Sequence, residues 1–436
     1  MSKIVLLPED LINKIAAGEV IERPASVVKE LVENALDAGA AKITVELQES
    51  GKKRIKVSDN GEGMSPEDAE KSILRHATSK IRSADDLFSI KTLGFRGEAL
   101  ASIAAVSKLS ITTKQKDILE GFNLTAEGGN VTSKNIVAAE QGTIIELQDI
   151  FFNIPARKKF LKSDAVELRH CIEAVIHYAL ANPQVSFKLL HENIIVINTQ
   201  ALHDQRNTIA SIYGVPTAKE LLGVEYEEEQ VSVSGYISKP YFVRNDKSQQ
   251  ALFVNGRWVR NNDLANALYE GYHSTLFVNK HPIFVLNLQL NPEKIDVNVH
   301  PQKQEIKIEQ KEQVMKAVMN AVRQTLQSNK LMPTVDVNVE QQITFGTPFP
   351  KTETKSAAKY AFEPGAQSVF AVEEASAKYG QESLPVVAEE YQSNELMQDK
   401  LPPMKLFGQV HKTYFLAETD GGLLYIDQHA AHERVM

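Results

Sequence analysis

The chain has 436 residues, of which 43% are hydrophobic and only one is cysteine. This length is typical of two or three domains, and the apolar content is sufficient for a core in each. A single cysteine excludes a disulfide framework and fits a reducing, cytoplasmic setting. The amino terminus has too short an apolar run for a secretion signal, and no stretch of sequence reaches the length of a membrane span.

The net charge of −8 argues at first against a nucleic-acid partner, but the charge is unevenly distributed. Residues 331–402 contain eleven Asp or Glu and five Lys or Arg, and therefore hold six of the eight excess negative charges. The near-neutral remainder can present a local basic patch, which is what a DNA backbone meets. The composition of 331–402 predicts a disordered acidic linker.

The first predicted element is an amphipathic helix that begins at Pro24 and ends before Gly39. Hydrophobic periodicity and turn residues then predict a series of short elements in a first domain over residues 1–205. These are strands at 41–48 and 53–58, a helix at 66–76, an aperiodic loop at 77–97, a helix at 99–105, and strands at 107–113, 120–126 and 142–148.

A second α+β domain is expected over residues 206–330, with a βαβ-like arrangement. Its predicted elements are helices at 206–212, 262–273 and 311–328, and strands at 230–238, 250–255 and 283–290. After the linker, strands at 405–409, 413–417 and 422–426 begin a C-terminal domain over 403–436. The chain stops at Met436 within an expected helix, so we expect it to be a truncated protein.

The first candidate site residues lie on the polar side of the first helix. Glu30 and Asn34 are four residues apart and therefore share a helix face. Glu30 is a candidate base that activates water, and Asn34 is a candidate oxygen ligand of Mg²⁺, which needs few protein ligands beside phosphate oxygens. An ordinary solvated helix face would show the same two residues.

A glycine-containing turn follows the second predicted strand, with the sequence DNGEGM at 59–64. Its two glycines would allow the backbone to approach a flat ligand closely. Asp59 is a candidate acceptor for the adenine amino group, an interaction that distinguishes adenine from guanine. A tight turn without a ligand accounts for the same residues equally well.

A third motif, GFRGEAL at 94–100, places glycines around Arg96 immediately before a helix. Backbone N–H groups and the positive end of that helix would suit phosphates, and Lys80 could add a positive charge. A loop with a surface arginine is the alternative interpretation. Together, the three motifs indicate an ATP site without a P-loop.

The order of these motifs resembles the GHKL ATPases, which share the Bergerat ATP-binding fold, and among them the MutL family of DNA mismatch repair proteins. The resemblance covers about residues 1–330. It is carried by NKIAAGEVIERPAS at 13–26, KELVENALDAG at 29–39, RHATSK at 75–80, GFRGEAL at 94–100, NIPARKKFL at 153–161, VNGR at 254–257 and DVNVHPQK at 296–303.

The resemblance implies an α+β fold with a Bergerat-type α/β sandwich, followed by a smaller domain that completes the ATP site. It implies that Glu30 is the general base, that Asn34 is the Mg²⁺ ligand and that Asp59 binds adenine. Gly63 and Thr143 would line the base pocket. The phosphates would be covered by Lys80, Gly94, Phe95, Arg96 and Gly97, and Lys303 would reach the γ-phosphate from the second domain.

The terminal sequence DQHAAHER at 427–434 resembles the metal motif of the MutL branch that nicks DNA. Asp427, His429 and Glu433 would be its first ligands, and His429 and Glu433 share a helix face. This motif implies a Mn²⁺ or Zn²⁺ site in the C-terminal domain of the intact protein, but it is incomplete here because the next expected Glu is absent. Nicking is therefore a hypothesis about the intact protein only.

The resemblance also implies DNA binding through two basic clusters, and a homodimer that closes around DNA. Contacts to phosphate without base recognition are expected from Arg157, Lys158 and Lys159, and from Arg257 and Arg260. ATP binding would couple a MutS-like mismatch sensor to a downstream nuclease or helicase, at the nucleoid of a prokaryote. Without the resemblance, each cluster would be interpreted as a solvated loop.

Three other interpretations fit parts of the sequence. A type II topoisomerase B subunit would continue into acidic metal-binding clusters, which the sequence lacks. A histidine kinase would carry a phospho-acceptor helix before the ATPase motifs, but here these motifs begin within the first forty residues. A scaffold that uses nucleotide as a switch, with incidental hydrolysis, remains open.

Overall fold

A computed structural model describes residues 8, 16–18, 20–80, 92–94, 97–228, 231–296, 307–329, 404–410, 414–419 and 422–427. The chain forms two compact units, Met1–Gln341 and Gln342–Met436. Among the helices in these ranges, none combines the length and apolar character that a bilayer crossing requires.

The larger unit begins with an eight-stranded sheet of order β5-β4-β3-β6-β2-β1-β7-β8. All neighbours are antiparallel except β1 and β7, which are parallel. The strands are β1 (Lys42–Gln48), β2 (Arg54–Asp59), β3 (Lys108–Lys114), β4 (Gly121–Glu127), β5 (Asn130–Val137), β6 (Gly142–Gln148), β7 (Ser186–His191) and β8 (Ile194–Asn198).

Helices pack on one face of this sheet and make it an α/β sandwich. The helices of this part are α1 (Pro24–Asp37), α2 (Pro66–Ser72), α3 (Ala99–Ala105), α4 (Pro155–Phe160) and α5 (Asp164–Ala181). Helix α1 begins with a proline and is followed by Gly39 at φ +70°, as the sequence predicts. Its buried Val27, Val28, Leu31 and Val32 face the core, where each contributes about 1.5–3 kcal/mol.

A second sheet of order β13-β12-β15-β10-β9 follows in the same unit. Strands β12 and β15 are parallel and are joined through helix α8, which confirms the predicted βαβ arrangement. The elements are α6 (Gln205–Tyr213), α7 (Val215–Lys219), β9 (Leu221–Glu228), β10 (Val231–Ser238), β11 (Val243–Arg244), β12 (Gln250–Val254), β13 (Arg257–Trp258), α8 (Asn262–Tyr272), β14 (His281–Pro282), β15 (Phe284–Leu290), β16 (Ile295–Asp296), β17 (Lys307–Ile308) and α9 (Lys311–Ser328).

Both faces of the second sheet are covered. Helices α8 and α9 pack on one face around Leu286 and Val318. On the other face, Phe253 and Val285 cluster with Ile209 of α6 and with Leu180 near the end of α5. The two sheets are therefore connected by apolar packing as well as by the chain.

Most of the longer elements lie where the sequence predicts them, but α5, β5, β7, β8 and β9 were not predicted, and neither were the short elements α4, α7, β11, β13, β14, β16 and β17. Helix α5 buries Cys171, Val175 and Leu180 and also the charged Glu167, which accepts a hydrogen bond from the Lys162 backbone at 3.0 Å. Because α5 contacts both α1 and the second sheet, its apolar residues do not form one clean stripe. The predicted helix at 66–76 ends earlier, at Ser72.

The smaller unit contains a three-stranded antiparallel sheet within its described residues. Its strands are β18 (Lys405–Val410), β19 (Tyr414–Thr419) and β20 (Gly422–Asp427), and they confirm the three strands expected there. The predicted linker at 331–402 lies outside the described residues. The domain boundaries proposed from the sequence stay predictions.

Candidate functional site

A cavity of about 1610 Å³ lies between the polar side of α1, the ends of β2 and β6, and strands β12 and β13 of the second sheet. It brings together most of the candidate residues, although they are far apart in sequence. The candidates that line it are Glu30, Asn34, Asp59, Gly63, Lys80, Gly94, Gly97, Thr143, Arg257 and Arg260.

One end of the cavity, here called the strand end, is formed by Asp59, Gly61, Gly63 and Thr143. Asp59 is the last residue of β2 and lies opposite Thr143 of β6. Its carboxylate accepts a hydrogen bond from the Gly61 backbone at 2.8 Å. Burial raises the pKa of Asp59 above its usual value, although hydrogen bonds from the backbone of Gly61 and Thr143 act in the opposite direction.

The backbone at the strand end is tightly packed. Gly63 has φ +72°, and a Cβ atom added there would lie 2.1 Å from the carbonyl oxygen of Lys114. The Thr113 hydroxyl accepts a hydrogen bond from Met64 N at 2.8 Å and lies 3.1 Å from the Thr143 hydroxyl. Glycine is therefore required at position 63, and the Thr113 hydroxyl binds the backbone of the turn.

The opposite end, here called the loop end, is formed by Asn34, Asp37, Lys80, Gly97 and the turn 92–94. The Lys80 ammonium donates to Asn34 Oδ1 at 3.0 Å and to Asp37 Oδ2 at 2.5 Å. Gly97 has φ +63° and lies against the carbonyl of Ala77, which brings the start of α3 next to the segment that carries Lys80. The Lys80 ammonium, the Asn34 amide oxygen and the start of α3 therefore lie close together at this end of the cavity.

Glu30 lines the cavity one helical turn before Asn34, and its side chain is half-buried. Glu33, on the same helix, differs from it because it is only 6% exposed. The Tyr178 hydroxyl donates to Glu33 Oε1 at 2.6 Å. Burial and the Glu33 charge raise the pKa of Tyr178 well above its usual value, so this phenol stays protonated and holds α5 against α1.

The second sheet supplies a further wall of the cavity through the residues that follow its tight turn at 255–256. Arg257 Nη2 donates to the carbonyl oxygen of Thr92 at 2.8 Å. Trp258 stacks on His177 of α5, with ring centroids 4.0 Å apart, and Arg260 lies over the Trp258 ring at 5.0 Å. The sequence gives no local signal for Asp37, Tyr178 or His177, because each of them contacts a segment that is distant in sequence.

The other basic cluster predicted to contact DNA, Arg157, Lys158 and Lys159, lies on α4. Lys158 and Lys159 are exposed, and Phe160 beside them is 85% exposed. Arg157 is half-buried and packs its guanidinium against Gly18, with a 3.4 Å hydrogen bond to the Ile21 carbonyl. The cluster therefore divides into two solvent-facing lysines and one arginine that contacts the N-terminal segment.

Several candidates lie outside the described residues, namely Phe95, Arg96, Lys303, His429 and Glu433. Asp427 ends strand β20, but its side chain is also outside them. Within the described part of the chain, no group of three or more His, Cys, Asp or Glu residues is arranged to hold a metal ion. Asn34 stays the candidate Mg²⁺ ligand.

Three family models match the chain. Residues 21–150 match "Histidine kinase-, DNA gyrase B-, and HSP90-like ATPase". Residues 209–327 match "DNA mismatch repair protein, C-terminal domain", and residues 407–436 match "MutL C terminal dimerisation domain". The GHKL-type ATPase fold expected from the motifs is therefore confirmed for the first sheet and its helices.

Individual proteins and structures agree with these matches. The DNA mismatch repair protein MutL of Streptococcus agalactiae is 38% identical over 488 residues, which cover 100% of this chain and 74% of the relative. MutL of Bacillus licheniformis is 39% identical and is covered to 75%. The Aquifex aeolicus MutL ATPase domain complexed with ADP has a TM-score of 0.52 and 28% identity, covering 71% of this chain and 99% of that one.

A crystal structure of the N-terminal domain of a DNA repair protein is similar as well, with a TM-score of 0.63 and 29% identity over 73% of this chain and 98% of that chain. The chain that forms the cavity described above is thus similar along its whole length to mismatch repair proteins. Neither a topoisomerase subunit nor a histidine kinase accounts for all three matched segments. The chain belongs to the MutL family of DNA mismatch repair proteins.

Proposed function

We propose that this chain binds ATP in the cavity between the two sheets and hydrolyses it with Glu30 as general base, in the service of DNA mismatch repair. The observation that carries the proposal is the convergence of Glu30, Asn34, Asp59 and Lys80 on one cavity. The ADP complex of a 28% identical ATPase domain supports a nucleotide in this place.

The strand end would bind the base. Asp59 presents an acceptor that suits the adenine amino group, and Gly63 lines the same end of the cavity. Guanine has a carbonyl oxygen where adenine has that amino group, so a carboxylate would repel it. The selection of adenine therefore depends on one acceptor that the adjacent strands fix in place.

The loop end would bind the phosphates, and Glu30 would accept a proton from the attacking water. Lys80 bonds to Asn34 and Asp37, and it would exchange Asn34 for phosphate oxygens when ATP binds, while Asp37 continues to hold it. Mg²⁺, which would neutralise phosphate charge, fits here because Asn34 offers a neutral amide oxygen and the nucleotide would supply further oxygens. Phe95, Arg96 and Lys303 are proposed to complete the phosphate contacts.

The test of the catalytic assignment uses Glu30→Ala. This variant should bind a non-hydrolysable ATP analogue as the wild type does but lose hydrolysis, by about 100-fold or more for a lost general base. Asp59→Ala should instead lose binding of the analogue. Hydrolysis that survives in Glu30→Ala would show that another group activates the water.

A second part of the proposal is that two copies close around DNA when ATP is bound. The match of residues 407–436 to a dimerisation domain supports a homodimer. Lys158 and Lys159 are the best-placed DNA contacts, because they are adjacent and exposed. ATP-driven closure would then pass a signal from a MutS-like sensor to a downstream nuclease or helicase.

DNA binding should depend steeply on salt, because contacts to phosphate release counterions. Replacing Lys158 and Lys159 by Gln should weaken binding and reduce the slope of log affinity against log salt by about two. Replacing Lys188 and Lys219, which lie on other elements, is the matched control. A slope that does not change in the Lys158–Lys159 variant would exclude these residues as contacts.

DNA nicking is a separate proposal for a chain that continues beyond Met436. It rests on the sequence of residues 427–434 and on a 28% identical relative described as a mismatch repair endonuclease. A longer chain incubated with Mn²⁺ and supercoiled DNA should produce nicked circles. Absence of nicking under these conditions would reject the proposal.

Repair assays separate an ATPase from a nucleotide-switched scaffold. If hydrolysis is required, Glu30→Ala should fail in mismatch repair as completely as a variant that cannot bind ATP. If Glu30→Ala supports normal repair, hydrolysis is incidental and the scaffold interpretation is correct.

A further inference from the structure

The turn 92–94 at the loop end of the cavity has its backbone polar groups bound by specific partners. Asp37 accepts hydrogen bonds from Leu93 N at 2.9 Å and from Gly94 N at 3.1 Å. The Thr92 hydroxyl donates to the Gly94 carbonyl at 2.8 Å. The Thr92 carbonyl accepts from Arg257 at 2.8 Å. The turn is therefore held by α1 on one side and by the second sheet on the other.

Asp37 connects this turn to the positive charge of the site. Its side chain is 8% exposed, and it pairs with Lys80 while it binds the turn. Gly94 also lies close to Lys80, since a Cβ atom on Gly94 would be 3.2 Å from the ammonium nitrogen. A shift of the turn would therefore move Lys80 and the backbone N–H groups together.

We propose that Arg257 is a positioning residue of the ATP site, through which the second sheet fixes the turn 92–94 and, by way of Asp37, Lys80 at the phosphates. The inference rests on the proposed nucleotide site. Arg257 would touch no group of the nucleotide and would act through the Thr92 carbonyl. This positioning role replaces the expectation that Arg257 is primarily a DNA contact.

The surroundings of Arg257 favour the positioning role. Its guanidinium lines the cavity and already donates to a carbonyl 165 residues away in sequence. The next residue, Trp258, is stacked on His177 of α5, so the strand that carries Arg257 is fixed to the first part of the molecule. In contrast, Lys158 and Lys159 face solvent and have the exposure that a DNA backbone contact requires.

Trp258 provides a direct signal for this junction, because it is the only tryptophan of the chain. It adjoins Arg257 in β13 and contacts the first part of the molecule through His177. If Arg257 links the second sheet to the turn, binding of a non-hydrolysable ATP analogue should change Trp258 fluorescence. The change in Trp258 fluorescence should be lost when the Arg257 guanidinium is removed, even in a variant that folds normally.

The experiment compares Arg257→Met, Arg257→Lys and the control Arg244→Met in the full chain. Arg244 is an exposed arginine of the second part that bonds to Gln249. Arg257→Met should weaken binding of the analogue about 10-fold, the effect of one charged hydrogen bond, and should abolish the Trp258 response. Arg257→Lys should restore part of both, because an ammonium can still donate to Thr92. Arg244→Met should behave as the wild type.

DNA binding without nucleotide provides the opposing test. A positioning role predicts that Arg257→Met binds DNA like the wild type, with the same salt dependence. The proposal is overturned if Arg257→Met keeps full analogue affinity and a normal Trp258 response, or if it loses DNA affinity while nucleotide binding is unchanged. Failure of the wild-type chain to bind the analogue would instead show that the proposed nucleotide site itself is wrong. The wild-type measurement therefore distinguishes failure of the nucleotide site from failure of the role proposed for Arg257.

Discussion

The two ends of the cavity are built in different ways. At the strand end, Asp59 and Thr143 are neighbours in adjacent strands, and their positions follow from the ladder that joins β2 and β6. At the loop end, Lys80 and the turn 92–94 are held by side chains from α1 and from the second sheet. In the proposed ATP site, base recognition would therefore be preorganised, whereas phosphate binding would depend on contacts between separate parts of the chain.

This difference has a functional consequence. A rigid acceptor for adenine costs little to organise on binding, since the strands already fix it. A loop end assembled from distant segments can respond to movements of those segments and so can couple ATP to the second sheet. We therefore expect that substitutions which alter the backbone reduce ATP binding most at the strand end. At the loop end, substitutions which alter side-chain charge should have the larger effect on ATP binding.

The largest effect is expected from Gly63→Ala at the strand end, compared with Gly39→Ala after α1. Both glycines have φ close to +70°, but an added Cβ meets the Lys114 carbonyl at 2.1 Å only at Gly63 and meets nothing within 4 Å at Gly39. Gly39→Ala should reduce the free energy of unfolding by about 1 kcal/mol, from backbone strain. Gly63→Ala should reduce it by about 3 kcal/mol or more and abolish ATP binding.

Chemical denaturation and calorimetry measure the two quantities. Equal losses of stability in the two variants would mean that the backbone at the strand end can relax away from the clash. The strand end would then not be the rigid part of the site.

A smaller effect is expected from Asp59→Asn. The amide can still accept a hydrogen bond from Gly61 but would turn a donor toward the adenine amino group. The affinity for an ATP analogue should fall by about 10- to 100-fold, the equivalent of one charged hydrogen bond. Asp149→Asn, an exposed carboxylate paired with Lys108, is the matched control and should not change the affinity.

The same variant tests the source of base selectivity. Because the amide can donate to a guanine carbonyl, Asp59→Asn should discriminate less between ATP and GTP analogues than the wild type does. Undiminished preference for adenine would transfer base recognition to another residue of the strand end.

The difference between the two ends also explains what the sequence could predict. Helix α1 and the strands β1, β2 and β6 were located correctly because apolar periodicity and glycine turns are local signals. Glu30, Asn34 and Asp59 were proposed in the same way, since the roles proposed for them depend on spacing along one helix or on one strand end. The cavity brings all three together.

The contacts that hold Lys80 and the turn 92–94 to α1 and to the second sheet could not be predicted, because they join segments far apart in sequence. Arg257 was expected to contact DNA because of the family resemblance, and nothing in VNGR at 254–257 indicates a bond to Thr92. Nothing in the sequence around Glu33 indicates that it is 6% exposed and accepts a hydrogen bond from Tyr178 of α5, a helix that was not predicted. Packing between distant segments decides both cases.

The smallest effect is expected from acid at the junction between the two sheets. Burial, with the Arg260 charge as a second cause, lowers the pKa of His177 to about 3. In the unfolded chain a histidine titrates near about pH 6.5, so the unfolded state takes up a proton that the folded state refuses. Stability should therefore fall as the pH decreases below about 6.5, and the loss should continue until the folded pKa is reached.

His177→Phe isolates this contribution, because phenylalanine can stack on Trp258 but cannot titrate. Between about pH 7 and about pH 5.5, the wild type should lose about 1 kcal/mol more unfolding free energy than His177→Phe. Trp258 fluorescence should show the loss at the junction itself, since Trp258 is the ring that His177 contacts. If the two proteins have parallel pH profiles, His177 already takes up its proton in the folded state, and the junction is more open to water than its packing indicates. The loop end would then be exposed to solvent from the side of the second sheet, and the contrast with the strand end would be greater.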